Sequence, residues 1–418
     1  MTFQAPRGTY DRMPDQQPLW KRINSVLQET AESFGYDRID TPVIEDAKLF
    51  SRGVGDVTDI IEKETYTFPD RGGDLLTLRP EGTAPICRAY IEHGMHNLPQ
   101  PVRLYYFCPV FRYERPQAGR YRQHHQFGVE VLGSAESAVD AEVIELAWCV
   151  LQKLDISNIK LKINTMGDGD SRTSYVSELQ DYLDSRIKEI PEGIRARVAS
   201  NPLRVLDSKD PKMSDITNDA PKCLDYINEE SREHWETLLH TLNLLSIPYD
   251  VDHKLVRGFD YYTRTVFEIV PSVETSQNTL IGGGRYDGLI EILGGKPTPG
   301  IGFGMGLERV VSTLQNNPSD QKSSRQIKIL IAYIGTSARQ KAILLSSKIR
   351  LNEISAVVAP SRGIKSQLRY ATSIGATHAV IIGDNELQKG EVIVRTFETH
   401  CQENMPEGDL IKFLANVK

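Results

Sequence analysis

No stretch of these 418 residues approaches the roughly 18 consecutive apolar positions that a membrane helix needs. The opening MTFQAPRGTYDRMP is polar and holds no apolar core of a signal peptide, so a cytoplasmic protein without a membrane anchor is expected. Cysteine is scarce. Cys87, Cys108, Cys149, Cys223 and Cys401 lie far apart and form no C-x-x-C pair, which argues against a disulfide framework and a structural zinc site. The histidine pairs His93/His96 and His124/His125 have no third ligand at metal-binding spacing, so no protein-held metal is expected. Basic charge is not in excess either: 49 Lys plus Arg stand against 56 Asp plus Glu, a net charge of −7. Nothing global points to nucleic acid, and any RNA contact must use local basic patches. The phosphate-binding loop G-x-x-x-x-G-K-[ST] is missing, as are a G-x-G-x-x-G after a first strand, H-E-x-x-H and G-x-S-x-G. A chain of this kind that handles nucleotide phosphates must hold them with arginines, whose guanidinium forks match phosphate oxygens.

What is present is an ordinary globular balance, 39% hydrophobic and 25% charged, over a length that suggests roughly three domains. Residues 16–34 place Leu19, Ile23, Leu27 and Ala31 at helical spacing, with Gly35 as the stop. Residues 36–42 alternate as a strand ending at Pro42. Residues 66–78 read as a hairpin, 83–93 as a helix, 102–113 as a strong strand, 127–132 as the returning strand and 138–154 as a helix. Strands and helices come in blocks without β-α-β alternation. That predicts an α+β fold, an antiparallel sheet flanked by helices, over residues 1–170 and 245–315. Residues 171–244 are polar and helical in pattern, a small helical insertion. Residues 316–326 have a linker's composition. Beyond them, strands at 328–334, 355–359 and 379–382 alternate with helices at 337–354 and 364–374, a separate α/β domain over 327–418. No internal repeat or low-complexity tract is present.

Four segments gather the residues that can do chemistry. In L-R-P-E-G-T-A (78–84), Glu81 sits at a strand-to-helix turn ahead of Gly82 and Thr83; its carboxylate either caps the helix or grips a substrate ammonium. Residues 111–130, F-R-Y-E-R-P-Q-A-G-R-Y-R-Q-H-H-Q-F-G-V-E, carry Arg112, Arg115, Arg120 and Arg122. Arg112 and Glu114 share a strand face, as do Gln126, Gly128 and Glu130. The basic loop is a solvated hairpin tip, or the two strands form the floor of a polar pocket. In L-V-R-G-F-D-Y-Y-T-R-T-V-F-E (255–268), Arg257 precedes a glycine that permits close backbone approach, and Tyr261 and Tyr262 bring phenols with an apolar body and a polar tip. A tyrosine-rich core strand is the other reading. Last, G-G-G-R-Y-D-G-L (282–289) precedes G-I-G-F-G-M-G-L-E-R (300–309), where Gly300, Gly302, Gly304 and Gly306 recur at period two. On a strand they leave one face as bare backbone, against which a flat ligand such as a purine could lie; Arg309 opens the helix that follows.

Together and in this order, these segments resemble the histidyl-tRNA synthetase family of class II aminoacyl-tRNA synthetases, from P-R-G-T (6–9) onward and over nearly the whole chain. The run L-V-R-G-F-D-Y-Y is highly specific to that family. The resemblance implies ATP-dependent ligation of L-histidine to tRNA(His) through histidyl-adenylate, with ATP as a substrate accompanied by Mg²⁺, in a homodimer built on a first motif that ends at Pro42. It implies that Glu81, Gly82, Thr83 and Gln126 hold the amino-acid end of histidine, and that Glu130 and Tyr262, with Tyr261 beside them, bind the imidazole. Arg112 and Arg257 match the catalytic arginines at the α-phosphate. Glu114 matches a residue near the adenine amino group, Gly304 part of the ATP site, and Arg309 an arginine on the terminal phosphates. The loop residues Arg115, Gln117 and Arg120 would touch the tRNA acceptor end, and Arg362, Lys365 and Arg369 form a basic patch on an anticodon-binding domain. Residues 51–61, with Gly53 and Gly55, are the candidate for a loop that closes over the pocket. The chain departs from the family pattern at His124, where phenylalanine is more usual, and at Y-D-R-M-P (10–14). A histidine-binding paralogue, the regulatory subunit of ATP phosphoribosyltransferase, shares the catalytic-domain fold without charging tRNA. Such paralogues tend to lack the last domain and to lose catalytic arginines, and here Arg112, Arg257 and Arg309 are all present.

Overall fold

The computed structural model describes residues 2–54, 64–115, 119–272, 279–315 and 328–416. It divides into two compact units, Met1–Gln321 and Lys322–Lys418. Gln117, Gly55 and the expected linker at 316–326 lie outside the described residues. No helix among the described residues is long and apolar enough to cross a membrane.

The first unit opens with helix Gln17–Ser33, which buries Trp20, Ile23, Leu27 and Ala31 on one stripe. Pro18 occupies its first turn, where the missing N–H has no partner to lose, and Gly35 leaves it at a φ of 80° that suits glycine. Eleven strands follow along the described chain: β1 (Asp37–Arg38), β2 (Ile44–Asp46), β3 (Tyr66–Pro69), β4 (Leu75–Leu78), β5 (Val102–Phe111), β6 (Gln123–Leu132), β7 (Ile159–Thr165), β8 (Tyr249–Val251), β9 (Thr263–Pro271), β10 (Ile281–Arg285) and β11 (Gly300–Gly306). Eight of them form the main sheet in the order β1-β5-β6-β11-β10-β9-β7-β8. Its centre is antiparallel, as expected, and the two margins, β1 on β5 and β8 on β7, are parallel. Strands β2, β4 and β3 make a separate antiparallel sheet.

The strand expected over 36–42 is reduced to two paired residues. Ile39 still donates to Tyr105 O, but the carbonyls of Thr41 and Pro42 turn away to accept from Arg79 Nη1, and Pro42 has no N–H with which to continue a ladder.

Strand period decides what each face of the main sheet does. Odd positions such as Phe127, Val129, Phe267, Ile301 and Phe303 enter one core with helices Gln17–Ser33, Ser137–Lys153, Glu229–Leu244 and Leu307–Gln315. Burying each such side chain contributes roughly 1.5–3 kcal/mol. Even positions, Gln126, Gly128, Glu130, Glu268, Gly302 and Gly304 among them, face the opposite side.

Between β7 and β8 the chain is helical, as its pattern predicts. Helix Gly169–Ser185 starts in a capping box of Asp168 with Ser171 and buries Tyr175, Leu179 and Leu183. The last of these helices, Glu229–Leu244, joins the main core through Trp235, Leu238 and Leu242, while the preceding helices belong to a second cluster that also holds Ile86, Tyr106, Tyr261 and Tyr286.

The second unit is a five-stranded sheet of β12 (Lys328–Tyr333), β13 (Ser355–Val358), β14 (His378–Ile382), β15 (Glu391–Thr396) and β16 (Gln402–Pro406), in the order β13-β12-β14-β15-β16. The first three strands are parallel and joined by helices Thr336–Leu351 and Ile364–Ser373. Beyond the expected pattern, β15 and β16 add an antiparallel hairpin and helix Glu407–Asn416 covers the sheet with Leu410 and Leu414.

Candidate active site

The even face of the main sheet carries a cleft of about 960 Å³, part of it open to solvent. Glu81, Thr83, Gln126, Tyr261 and Tyr262 line it together with Arg112, Glu114, Arg120, Arg257 and Arg309. Residues separated by up to about 230 positions in sequence thus share one cavity.

At one end sit the carboxylates. Glu81 is buried and accepts from the backbone N–H of Thr83 at 2.6 Å and of Ala84 at 2.8 Å. It therefore does cap helix Thr83–Glu92, and it faces the cleft as well; the two readings left open by the sequence are compatible. Burial raises its carboxyl, partly offset by those two N–H donors. Glu130 lies beneath the floor, fully buried, and lines the cleft only through what stands on it. It accepts from Thr83 Oγ1 at 2.8 Å, from Tyr106 Oη at 3.1 Å and from the Tyr286 hydroxyl. Burial pushes it up to about 8, against the pull of those hydroxyls. Gly82 is buried against the Tyr106 ring, outside the lining.

Tyr106 and Tyr286 are the members of this site that sequence reading missed. A cross-strand rule could have found the first: Tyr106 pairs with Gly128, and a Cβ at Gly128 would collide with its ring. Tyr286 was visible in the G-G-G-R-Y-D-G-L run, but only the fold turns it toward Glu130. Tyr261 and Tyr262 contact each other with ring centroids 4.7 Å apart, and Tyr261 stacks on Phe259.

The other end is cationic. Arg112 is held by a bond from Nε to Pro80 O at 2.8 Å, and its guanidinium stands 6.0 Å from the Phe259 ring. Arg257 donates to Glu268, and its Nε is buried without a hydrogen-bond partner among the described residues. Arg309 donates to Thr279 O at 2.8 Å. Burial and the nearby charge of Arg120 weaken the hold of Arg309 on its proton, which marks a cluster of like charges awaiting an anion. Glu114 lies 3.4 Å from Arg120 and 3.9 Å from Arg112. Arg115 is exposed. His124 lines the cleft, and burial beside Arg112 lowers it to about 3, so its ring is neutral.

The glycine strand differs from expectation. The even face of β11 is largely covered by protein: a Cβ at Gly300 would meet the Tyr286 ring, at Gly302 the Glu130 carboxylate, and at Gly304 the Gln126 amide. Only Gly306 has open space above it, with the Arg309 stem 3.9 Å away. The glycines make room for side chains of neighbouring strands, and what remains bare for a flat ligand is the end next to Arg309.

The helices between β7 and β8 reach the segment that carries Arg257 and the two tyrosines. Arg204 Nη2 donates to Gly258 O at 2.8 Å, Arg172 donates to the carbonyls of Tyr262 and Asp260, and Asn201 Nδ2 donates to Asp260 Oδ1 at 3.2 Å. On the second unit, Arg362, Lys365 and Arg369 are exposed at and along helix Ile364–Ser373, where Lys365 and Arg369, four apart, share a face.

A largely antiparallel sheet, an arginine-bearing hairpin and a glycine strand leading into an arginine-bearing helix define a class II aminoacyl-tRNA synthetase catalytic unit. The signature of the histidyl-tRNA synthetase family matches residues 8–310, and that of the anticodon binding domain matches 328–417. The protein of Dehalococcoides mccartyi named histidine–tRNA ligase is 45% identical over 410 residues, 98% of each chain. The crystal structure of apo S. aureus histidyl-tRNA synthetase superposes with a TM-score of 0.83 at 35% identity, covering 99% of this chain and 100% of that one. An ATP phosphoribosyltransferase regulatory subunit/histidyl-tRNA synthetase of Bacillus halodurans shares the fold, with a TM-score of 0.66 at 23% identity over 92% of this chain and 98% of that one. The chain belongs to the histidyl-tRNA synthetase family.

Proposed function

We propose that the protein is a histidine–tRNA ligase that activates L-histidine with ATP and transfers it to tRNA(His), releasing AMP and pyrophosphate. The observation that carries this reading is one cleft with the Glu81 carboxylate and phenols at one end and four arginines at the other. Histidine enters with its ammonium toward Glu81, Thr83 and Gln126 and its imidazole toward Glu130, Tyr261 and Tyr262. A histidine carboxylate oxygen then attacks the α-phosphorus of ATP in line, and the bond to the bridging oxygen breaks as pyrophosphate departs. Two anions must meet for this to happen. Arg112 and Arg257, held in place before substrate arrives, stabilise the charge that builds on the phosphate oxygens, and Arg309 takes the terminal phosphates. Glu114 reads the adenine side, and Gly304 borders the ATP site beside Gly306, the bare end of the strand next to Arg309. No side-chain nucleophile is required. In the second step a ribose hydroxyl of the tRNA attacks the histidyl carbonyl carbon and AMP leaves.

Mg²⁺ arrives with ATP. Bound with ATP, it would offset the negative charge that builds on the departing pyrophosphate. The acceptor end meets Arg115, Gln117 and Arg120, while Arg362, Lys365 and Arg369 meet anticodon-arm phosphates. Residues 1–170 and 245–315 do the catalysis, 171–244 hold the segment that carries Arg257, Tyr261 and Tyr262, and 327–418 make the anticodon contact. A homodimer is supported by the sheet β2-β4-β3, where Ile44, Leu76, Leu78 and Phe68 share one face and Ile44 and Phe68 are exposed on it. We place the enzyme in the cytoplasm.

ATP–pyrophosphate exchange measured with each of the twenty amino acids separately tests the proposal. Exchange with histidine alone is expected. Histidine binding without exchange would overturn it in favour of the regulatory paralogue.

A further inference from the structure

The N-terminal segment has no part in the chemistry above, yet it is bonded into the ATP side of the cleft. Thr9 donates from N and Oγ1 to Pro6 O, closing a turn in which Gly8 takes a φ of 87°. The turn presents the Gly8 carbonyl to Arg122, whose N–H reaches it at 2.8 Å; Arg122 O in turn accepts the N–H of Arg112 at 2.9 Å. Gly8 thereby extends by one bond the backbone ladder that carries Arg112. Two residues on, the Tyr10 ring packs on Tyr121 with centroids 4.9 Å apart, and Tyr121 lines the cleft. The Tyr10 hydroxyl donates to Glu308 Oε1 at 3.1 Å. Glu308 also takes the backbone N–H of His125 at 2.9 Å and its ring Nδ1 at 2.8 Å. Arg12 caps the arrangement, with its guanidinium 3.9 Å from the Trp20 ring and a hydrogen bond to His125 Nε2.

Glu308 is the residue before Arg309, in the first turn of helix Leu307–Gln315. Its carboxylate is buried; burial raises it, but the His125 donors outweigh that and keep it ionised. An ionised carboxylate at that depth is costly without partners, and three of its contacts come from Tyr10 and His125. A segment that only covered apolar surface would not need these bonds, and they converge on the two elements that carry Arg112 and Arg309.

We infer that residues 6–12 form a strap that sets the ATP-side arginines, with Tyr10 and Glu308 as positioning residues that act through Arg309. The inference rests on the ATP-site reading above. The test varies ATP and histidine separately in pyrophosphate exchange for Tyr10→Phe, Tyr10→Ala and Glu308→Gln, and measures ATP binding to the same full-length proteins by calorimetry together with their melting temperatures. Tyr10→Phe keeps the ring on Tyr121 and removes only the hydroxyl. It is expected to raise the KM and Kd for ATP about tenfold, the loss of one hydrogen bond to a charged group, with the histidine KM within about twofold. Glu308→Gln follows in the same direction, and Tyr10→Ala adds little to Tyr10→Phe. Unchanged ATP affinity in Tyr10→Phe overturns the strap. So do equal shifts in both KM values alongside a lower melting temperature, which is the mark of a structural role. If the wild type binds ATP without any exchange, the ligase reading fails, and the calorimetric comparison still decides the strap.

Discussion

Glu130 is ionisable in a place that resists ionisation. Its carboxyl is raised from 4.5 to about 8, burial being the main cause. The folded protein therefore keeps a proton that the unfolded chain releases. The stability this contributes is complete below 4.5 and is lost as pH climbs to about 8. Glu130→Gln is neutral throughout, so its melting temperature is expected to fall less steeply over that window. Histidine-dependent exchange should drop roughly ten- to hundredfold, since the amide puts an NH₂ donor in place of one of the two oxygens on which the Thr83, Tyr106 and Tyr286 hydroxyls converge. Two glycines separate the two kinds of damage. At Gly282 a Cβ would meet the tip of Arg257, which can swing aside. Gly282→Ala should keep its melting temperature and lose at least about tenfold in exchange by misplacing that arginine. At Gly302 the Cβ would meet Val129 O, which is backbone, as well as Glu130. Gly302→Ala should cost about 1–3 kcal/mol in denaturant unfolding because strands β6 and β11 must part.

Elements here are tied by buried charge as well as by apolar packing. Arg285 on β10 has no exposed surface and donates to Asp140 of helix Ser137–Lys153, and Asp140 also meets His234 of helix Glu229–Leu244 at 2.9 Å. Burial would raise Asp140, but Arg285 outweighs it and the carboxyl is held below its usual range. Asp140→Asn leaves the buried guanidinium with Asp287, at 3.0 Å, as its remaining carboxylate partner and should destabilise by about 3 kcal/mol in chemical denaturation. The hold of Arg204 on Gly258 O works differently, because it fixes a loop that carries Arg257 and both tyrosines. Arg204→Ala should raise the KM for ATP and for histidine together, by about threefold to tenfold each, with little loss of melting temperature. That parallel rise is the opposite of the split expected at Tyr10.

For the whole molecule, the two compact units predict separable half-reactions. A chain ending at Gln321 should retain histidine-dependent exchange to within about fivefold and lose most tRNA charging, measured on the same preparation. With a net charge of −7 the full chain offers tRNA no general attraction, so the proposed contacts of Arg362, Lys365 and Arg369 are expected to weigh heavily in charging.

Much of this was legible before any coordinates, because local rules acted on local residues. Apolar spacing placed helix Gln17–Ser33 and the long strands β5 and β6, block order foretold an antiparallel sheet, and alternation after residue 327 foretold the parallel part of the second unit. The arginines and carboxylates of the cleft stood out as residue types costly to keep without a task. Tertiary structure alone decided what each of them touches. Glu130 found its phenols in Tyr106 and Tyr286, 24 and 156 positions away, and sank beneath the floor. The period-two glycines proved to accommodate Tyr286, Glu130 and Gln126, since a missing Cβ reports close approach but cannot say by what. The 36–42 strand gave way because Arg79, distant in sequence, took the carbonyls of its second half. Hydrogen bonds and exclusion between residues remote along the chain carry no period, so only the folded packing reveals them.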